Sequence, residues 1–451
     1  MTTRNTATTT RAASTALLTD HYELTMLEAA LRSRAAHRRC IFEVFARRLP
    51  EGRRYGVVAG TGRLLEALRE FRFGDAELER LRAAQVVDER TLDYLADYRF
   101  SGDVWGYAEG ECYFPHSPLL IVDAPFGEGV LLETLVLSIL NHDSAVASAA
   151  SRMTVAAEGR PCIEMGSRRT HEEAAVAAAR AAYIGGFDTT SNLEAGRTYG
   201  VPTAGTSAHA FTLLHDTERQ AFEAQVASLG SGTTLLIDTY DVPVAVALAV
   251  EVAGPGLGAV RIDSGDLLVQ AREVREQLDS LGATGTKIVV TSDLEEHAIA
   301  ALAAAPVDAY GVGTSLVTGS GAPTAGLVYK LVAREGADGE LVSVAKKSKD
   351  KASVGGRKYA ARRLDGRDVA EAEVIGVGDR PRTDANDRPL LVRLVQEGEG
   401  LGAANHVALE EARARHEQSL AELPARALRL SKGEPAIPTL FEDGGSVRAG
   451  R

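Results

Sequence analysis

Four short segments gather polar and charged side chains at the ends of apolar runs. Gly205-Thr-Ser-Ala-His209 sets an imidazole beside small residues, and Arg261-Ile-Asp-Ser-Gly-Asp266 crowds a guanidinium, two carboxylates and a hydroxyl around one turn. Thr291-Ser-Asp293 and Gly311-Val-Gly-Thr-Ser315 end two further runs in the same way. Each type has chemistry to offer. Asp263 and Asp266 can hold ribose hydroxyls or a magnesium-bound phosphate, and Arg261 can take a planar carboxylate through two parallel hydrogen bonds. Gly311 and Gly313 let the backbone approach a ligand, so that successive N–H groups and the Thr314 and Ser315 hydroxyls can hold a phosphate. The segment is not a Walker A loop, and Leu316 stands where a dinucleotide fingerprint needs its last glycine.

Singly, each segment has a plainer explanation. Glycines make tight turns, Arg261 can pair with an aspartate, and Asp266 or Asp293 can cap a helix. His209 can be structural, and Arg168 and Arg169 of Glu164-Met-Gly-Ser-Arg-Arg169 can simply be solvated. Together the four strand ends are the equipment for a phosphorylated sugar.

The elements that must position them follow from the apolar rhythm. From about residue 160, short apolar runs alternate with Ala-rich helical stretches. Strands are predicted at Pro161–Met165, Ala181–Phe187, Thr203–Ser207, Thr233–Asp238, Ala259–Asp263, Lys287–Thr291 and Asp308–Val312. Helices are predicted at Leu267–Leu281 and Leu294–Ala304. Alternating strand–helix units imply a parallel sheet, and seven in series favour a closed barrel whose strand ends share one rim. Upstream, a helix from Thr19 or Asp20 through Leu31, a strand at Cys40–Phe45, helices over Thr61–Glu70 and Asp75–Tyr98, and strands within Gly102–Val122 make an α/β module. After Lys330 the charged, Gly-rich sequence reads as strands and loops rejoining that module, with a helix near Leu409–Leu423. The expected organisation is a disordered tail over 1–16, the α/β module over 17–125 and the barrel over 126–345. A C-terminal segment over 346–451 packs back on the module.

Composition narrows the function classes. With 451 residues, 45% hydrophobic and 25% charged, the chain has room for two or three ordinary globular domains. Fifty Lys and Arg against 62 Asp and Glu give a net charge of −12, which argues against a general nucleic-acid or membrane-surface binder. One Trp and 5% aromatics argue against a base-stacking platform. Cys40, Cys112 and Cys162 lie far apart without metal spacing and read as reduced core thiols of a cytoplasmic enzyme. No membrane span is expected, since the longest uncharged stretch, Ala309–Tyr329, carries five glycines among Ser and Thr.

With these segments in place, the sequence resembles the nicotinate phosphoribosyltransferase family over most of its length. Six motifs in family order carry the resemblance: Thr19-Asp-His-Tyr-Glu-Leu-Thr-Met26, Phe42-Glu-Val-Phe-Ala-Arg-Arg48, Glu164–Arg169, Gly205–Ala210, Arg261–Asp266 and Gly311–Ser315. The resemblance implies an irregular (β/α) barrel of the type II phosphoribosyltransferase kind, with an α/β module built from N- and C-terminal segments. It implies that nicotinate and 5-phosphoribosyl 1-pyrophosphate give nicotinate mononucleotide and pyrophosphate, a step of NAD salvage. Magnesium, and ATP hydrolysis coupled through a phosphohistidine, come with it. Motif by motif, Tyr22 stacks on the pyridine ring from the partner subunit of a homodimer, and Arg261 meets the nicotinate carboxylate. Asp263, in a catalytic position, and Ser264 sit near the ring or ribose, and Asp293 holds ribose hydroxyls. Gly313 and Thr314 hold the 5′-phosphate, Arg168 stands on the phosphate side, and Asp266 is the candidate metal ligand. His209 is the histidine that ATP phosphorylates transiently. The basic segment Lys346–Lys358, with Lys347 and Lys351, resembles the part that meets pyrophosphate or ATP. Many relatives have Phe where Met165 stands. The alternatives are a nicotinamide phosphoribosyltransferase, which shares the Arg-x-Asp-Ser-Gly signature, and a non-catalytic nucleotide-binding regulator. His21–Met26 and His209 favour the acid-specific enzyme, and the intact polar strand ends speak against the regulator.

Overall fold

Apolar strands bearing polar ends form the parallel sheet that the sequence pattern requires. In the computed structural model, which describes residues 14–345, 353–399, 409–443 and 446–449, that sheet has six strands. Its order is Thr189–Thr190, Cys162–Glu164, Ala309–Val312, Lys287–Val290, Ala259–Ile262 and Thr234–Leu236, all parallel. The last strand in sequence pairs back onto the first, Tyr310 opposite Cys162, which wraps the sheet into a barrel. Among the described residues a bridge between Thr190 and Thr203 extends one edge and no strand pairing joins Thr203 to Thr234–Leu236, so the barrel is incomplete there. Cys162, Leu235, Val260, Ile262, Ile288, Val290, Tyr310 and Val312 are fully buried, as strands covered on both faces demand.

The N-terminal module is an antiparallel sheet drawn from both parts of the chain. Its order is Leu341–Ser343, Leu327–Glu335, Arg39–Ala46, Leu120–Pro125, Asp103–Tyr107 and Leu391–Val395. Alternation along the Arg39–Ala46 strand sends Cys40, Phe42, Val44 and Ala46 into a core with Leu24, Leu27 and Leu31 of the helix His21–Arg32, while Ile41 faces the opposite side. A second antiparallel group (Arg388–Pro389, Lys358–Leu364 and Ala370–Val377) continues, through a parallel pairing, into Thr439–Asp443 and Ser446–Ala449.

One helix, Glu133–Ala157, joins the two cores. Val136, Ile139 and Leu140 belong to the module's core, and Val146, Ala147, Ala149, Ala150 and Met153 to the barrel's. With the residues from Phe126 it is long and apolar enough to cross a membrane, and burial between the two cores accounts for that composition. The three cysteines are free and buried, and burial pushes Cys40 up to about 11 and Cys112 and Cys162 up to about 12.

Four expectations need correction. Ala181–Phe187 is no strand, because Ala181–Ile184 closes the helix Glu172–Ile184. Its run of alanines, good helix formers, packs against the small residues of Glu133–Ala157, and a short apolar run alone cannot tell strand from buried helix. Thr203–Ser207 contributes a single bridge at Thr203. The barrel unit stops short of its expected bound at 345, because the strand Leu327–Glu335 pairs with Arg39–Ala46 in the module, in keeping with the reading of the sequence after Lys330. Finally, Ser14–Ala16 are packed rather than tail-like: Thr15 donates its hydroxyl to Ala67 O at 2.6 Å and Ala16 is fully buried. Residues 1–13 lie outside the described residues.

Candidate active site

The polar strand ends meet on one rim, joined by a chain of contacts. At its centre is Asp238, just beyond Thr234–Leu236, with a side chain only 2% exposed. Its Oδ2 accepts the Asp263 N–H at 2.9 Å and the Ser264 hydroxyl at 2.7 Å. Its Oδ1 accepts no hydrogen bond among the described residues, and His209 Nε2 lies 3.3 Å from it. Sequence reasoning assigned Asp238 no role. The signal was present, however: a carboxylate directly after Leu235-Leu-Ile237, the pattern that Asp263 repeats after Ile262.

Arg261 leaves the strand Ala259–Ile262 beside this clamp and donates through Nη1 to Thr206 Oγ1 at 2.8 Å. Among the described residues its buried Nε has no partner, and no carboxylate is hydrogen-bonded to the guanidinium. Burial lowers its pKa, Asp263 and Asp238 oppose that, and Arg168 adds to it. A half-buried cation left in this state is a receptor for an anion. Asp263 is fixed by the Thr291 hydroxyl in addition to the Asp238 clamp.

The glycines are placed by crowding. A Cβ on Gly311 would stand 2.5 Å from Thr291 Cγ2 and 2.8 Å from Met165 Sδ, and one on Gly166 would stand 2.2 Å from Val317 Cγ1. These contacts seat the Glu164–Arg169 loop against the turn at Gly313, where the short helix Thr314–Val317 begins. Glu164 fastens the same loop by accepting from Thr190 Oγ1 and the Gly166 N–H, while burial raises its pKa. Arg168 is exposed at the loop's tip.

The two candidate helix caps separate. Asp266 does cap the helix Leu267–Ser280, accepting the Val269 N–H at 3.2 Å. Asp293 caps nothing. Glu295 takes that task for Glu296–Ala301, accepting from Ala298 and His297, both at 2.9 Å. Asp293 is exposed and has no hydrogen bond or ion pair among the described residues. Glu295, Glu296 and His297 lie close enough to hold a metal, but Glu295 is the cap and Glu296 pairs with Arg152, so their oxygens are engaged.

Tyr22 is not brought to the rim within one chain. It sits 44% exposed on His21–Arg32, and partial burial together with the charge of the Glu133 carboxylate raises its pKa. Lys347 and Lys351 lie outside the described residues. The flank Ser353–Lys358 lines a cavity of about 1390 Å³ on the module side, with Arg39 and Asp123. There Arg39 and Arg357 both pair with Asp123, Lys358 pairs with Glu43, and Arg393 lies over the Trp105 ring.

Comparison with known proteins bears on this geometry. Residues 17–141 match the model of the nicotinate phosphoribosyltransferase N-terminal domain. The chain is 60% identical over 432 residues, 94% of each chain, to the nicotinate phosphoribosyltransferase pncB1 of Mycobacterium tuberculosis (strain CDC 1551 / Oshkosh). It is 37% identical over 360 residues, 77% of this chain and 73% of the other, to the nicotinate phosphoribosyltransferase of Bacillus subtilis (strain 168). The crystal structure of human nicotinic acid phosphoribosyltransferase superposes with a TM-score of 0.80 at 28% identity, covering 94% of this chain and 98% of that one.

Proposed function

The chain belongs to the nicotinate phosphoribosyltransferase family and is an enzyme of NAD salvage, and on that premise we propose how the rim carries out the transfer. Nicotinate and 5-phosphoribosyl 1-pyrophosphate react there to nicotinate mononucleotide and pyrophosphate. The observation that carries this reading is Arg261, whose buried Nε lacks a partner and whose guanidinium lacks a bonded carboxylate among the described residues. The nicotinate carboxylate supplies both. Asp263 and Ser264, held by Asp238, line the ring and ribose, and Asp293 takes the ribose hydroxyls. Gly313, Thr314 and Arg168 take the 5′-phosphate.

The bond from ribose C1 to the pyrophosphate oxygen breaks as one to the pyridine nitrogen forms, with oxocarbenium character between. No protein nucleophile at carbon is needed. The residues act by holding the pyridine nitrogen in line and offsetting charge. The Asp293 carboxylate and the second oxygen of Asp266 accept no hydrogen bond among the described residues, and such hard donors fit magnesium. Bound there, magnesium would offset charge on the leaving pyrophosphate.

His209 gives the coupling to ATP. Asp238 Oδ1, an acceptor without a hydrogen bond among the described residues, lies 3.3 Å from Nε2 and favours the tautomer with its proton there. Nδ1 then has the lone pair that takes the γ-phosphoryl of ATP and releases ADP. Water later cleaves the P–N bond and releases phosphate. In between, the added charge biases the neighbouring loops. Nicotinate mononucleotide formation is measured with and without ATP, alongside ADP release. His209→Ala is expected to keep the ATP-independent rate and lose both the ATP stimulation and the ADP release. Full coupling in His209→Ala would end the phosphohistidine reading.

The exposed Tyr22, with Leu17, Leu18 and Met26 beside it, suits a homodimer in which each copy completes its neighbour's ring pocket. Mixing Tyr22→Ala with Arg261→Ala protomers is expected to recover part of the lost activity. No recovery would place the whole site in one chain. Three buried free thiols suit a reducing compartment, such as the cytoplasm.

A further inference from the structure

The loops bearing Asp293 and Gly313–Ser315 follow neighbouring strands, Lys287–Val290 and Ala309–Val312. Each loop carries a serine in a left-handed conformation, Ser292 at φ 136° and Ser320 at φ 51°. Such conformations disfavour a residue with a Cβ and persist only where the surroundings hold them.

Beneath both loops lies a buried cluster centred on Glu296, three residues after Asp293. Its Oε1 accepts from Arg152 Nε at 3.0 Å and lies 3.9 Å from Arg53 Nη1. Its Oε2 accepts the Ser320 hydroxyl at 2.5 Å. Ser320 also donates its N–H to Ser315 O at 2.6 Å, directly under the phosphate turn. Arg53 donates to Gly319 O at 2.8 Å and to Ser148 O at 3.1 Å, pinning the same segment to the central helix. Arg152 reaches Gly52 O at 3.3 Å and Leu430 O at 3.2 Å. Burial works against the Glu296 charge, yet the Ser320 hydroxyl and the two guanidiniums hold its carboxyl below the usual range. From the Asp293 loop the chain leads in three residues to Glu296, and hydrogen bonds continue the route through Ser320 to Ser315.

We propose that Glu296 is a positioning residue for phosphoribosyl transfer, acting through Ser320 to fix the spacing between the Asp293 loop and the Gly313–Ser315 loop. The inference rests on the reading of those loops as the ribose and 5′-phosphate sites. The sugar sets the distance between its hydroxyls and its phosphate, so two receptors that drift apart cannot both be filled. Misplacement by about 1 Å can cost on the order of 100-fold in rate. The nicotinate carboxylate, held at Arg261 on another strand, does not depend on that spacing.

The test is steady-state kinetics on the full-length enzyme with each substrate varied, with a thermal melt of each variant. Ser320→Ala removes one hydroxyl and is expected to raise KM for 5-phosphoribosyl 1-pyrophosphate about fivefold. Glu296→Gln is expected to raise it at least as much, with KM for nicotinate within about twofold of the parent in both variants. The double variant is expected to be no worse than Glu296→Gln, because both changes cut one route. If Glu296→Gln does not fold, with Arg53 and Arg152 left facing a neutral partner, Ser320→Ala decides alone. A sugar-phosphate KM unchanged by Ser320→Ala, or a nicotinate KM that rises in proportion, overturns the inference. Asp293→Asn separates the two levels. If it leaves the sugar-phosphate KM unchanged, the underlying reading of the loops fails. If it raises that KM while Ser320→Ala does not, only the role of Glu296 fails.

Discussion

Arg180 and Arg261 are the same side chain in opposite electrostatic settings. Arg180 lies where the helix Glu172–Ile184 meets the N-terminal module, fully buried, with Nη1 and Nη2 on Glu109 at 2.6 and 2.8 Å. Glu109 also accepts the Gly60 N–H at 2.6 Å and the Gly62 N–H at 3.2 Å, so both terminal guanidinium nitrogens and both carboxylate oxygens have partners. Burial works against the Arg180 charge and Glu109 overrides it, raising the pKa, whereas that of Arg261 is lowered. At the rim, Arg261 Nε, Asp238 Oδ1 and the Asp293 carboxylate are all left without hydrogen bonds among the described residues. A matched pair fixes two parts of a fold to each other. Unmatched charge held by matched neighbours marks a receptor.

The largest effect expected from this contrast is on stability. Arg180→Met leaves the Glu109 carboxylate buried without its cation, which costs about 3–5 kcal/mol. Urea unfolding should show that loss as a lower midpoint, while transferase activity per folded molecule stays at the parent level. A loss of activity without a loss of stability would erase the distinction drawn between the two arginines.

Arg261→Ala should do the reverse. On the proposed role of Arg261 as receptor for the nicotinate carboxylate, its removal is expected to lower kcat/KM for nicotinate about 100-fold, or about 3 kcal/mol. The urea midpoint should hold or rise slightly, because the variant removes a half-buried cation that had no carboxylate bonded to it. Measuring both quantities on both arginine variants gives a crossed pattern that no single account of general damage produces.

The contrast also explains what could be read from the sequence. Ala259–Ile262, Lys287–Val290 and Ala309–Val312 were legible because each joins an apolar run to a polar end and a following helix. Ala181–Phe187 was not, since its alanines satisfy a buried helix as well as a strand, and only packing on Glu133–Ala157 decides. Of the candidate site, Arg261, Asp263 and His209 were legible as polar or charged residues in places where a turn needs none. Asp238 was missed because its role lies in what it accepts from Asp263 and Ser264, residues 25 and 26 positions away. A net charge of −12 is compatible with anionic substrates because Arg168 and Arg261 stand together at the rim, a placement that composition cannot carry.

The smallest effect sharpens the contrast within one loop. Asp293 and Glu295 are two residues apart, both acidic, and the sequence favours the first as the helix cap because aspartate is the better capping residue. The structure gives the cap to Glu295, which reaches two N–H groups of Glu296–Ala301 from an extended backbone position at φ −144°. The longer side chain can fold back over the first turn while Asp293 stays outside it, next to Ser292 in its left-handed conformation. Glu295→Ala is therefore expected to lower stability by about 1 kcal/mol. Because the helix is only six residues long, the loss should also loosen the preceding loop, raising the sugar-phosphate KM modestly. Asp293→Ala should leave the urea midpoint within about 0.5 kcal/mol of the parent, as surface changes away from structural contacts do. It should raise the sugar-phosphate KM about tenfold, the cost of losing a hydrogen bond to a charged group. If Asp293→Ala lost stability and Glu295→Ala did not, Asp293 would be the cap and its oxygens would no longer be free for the ribose.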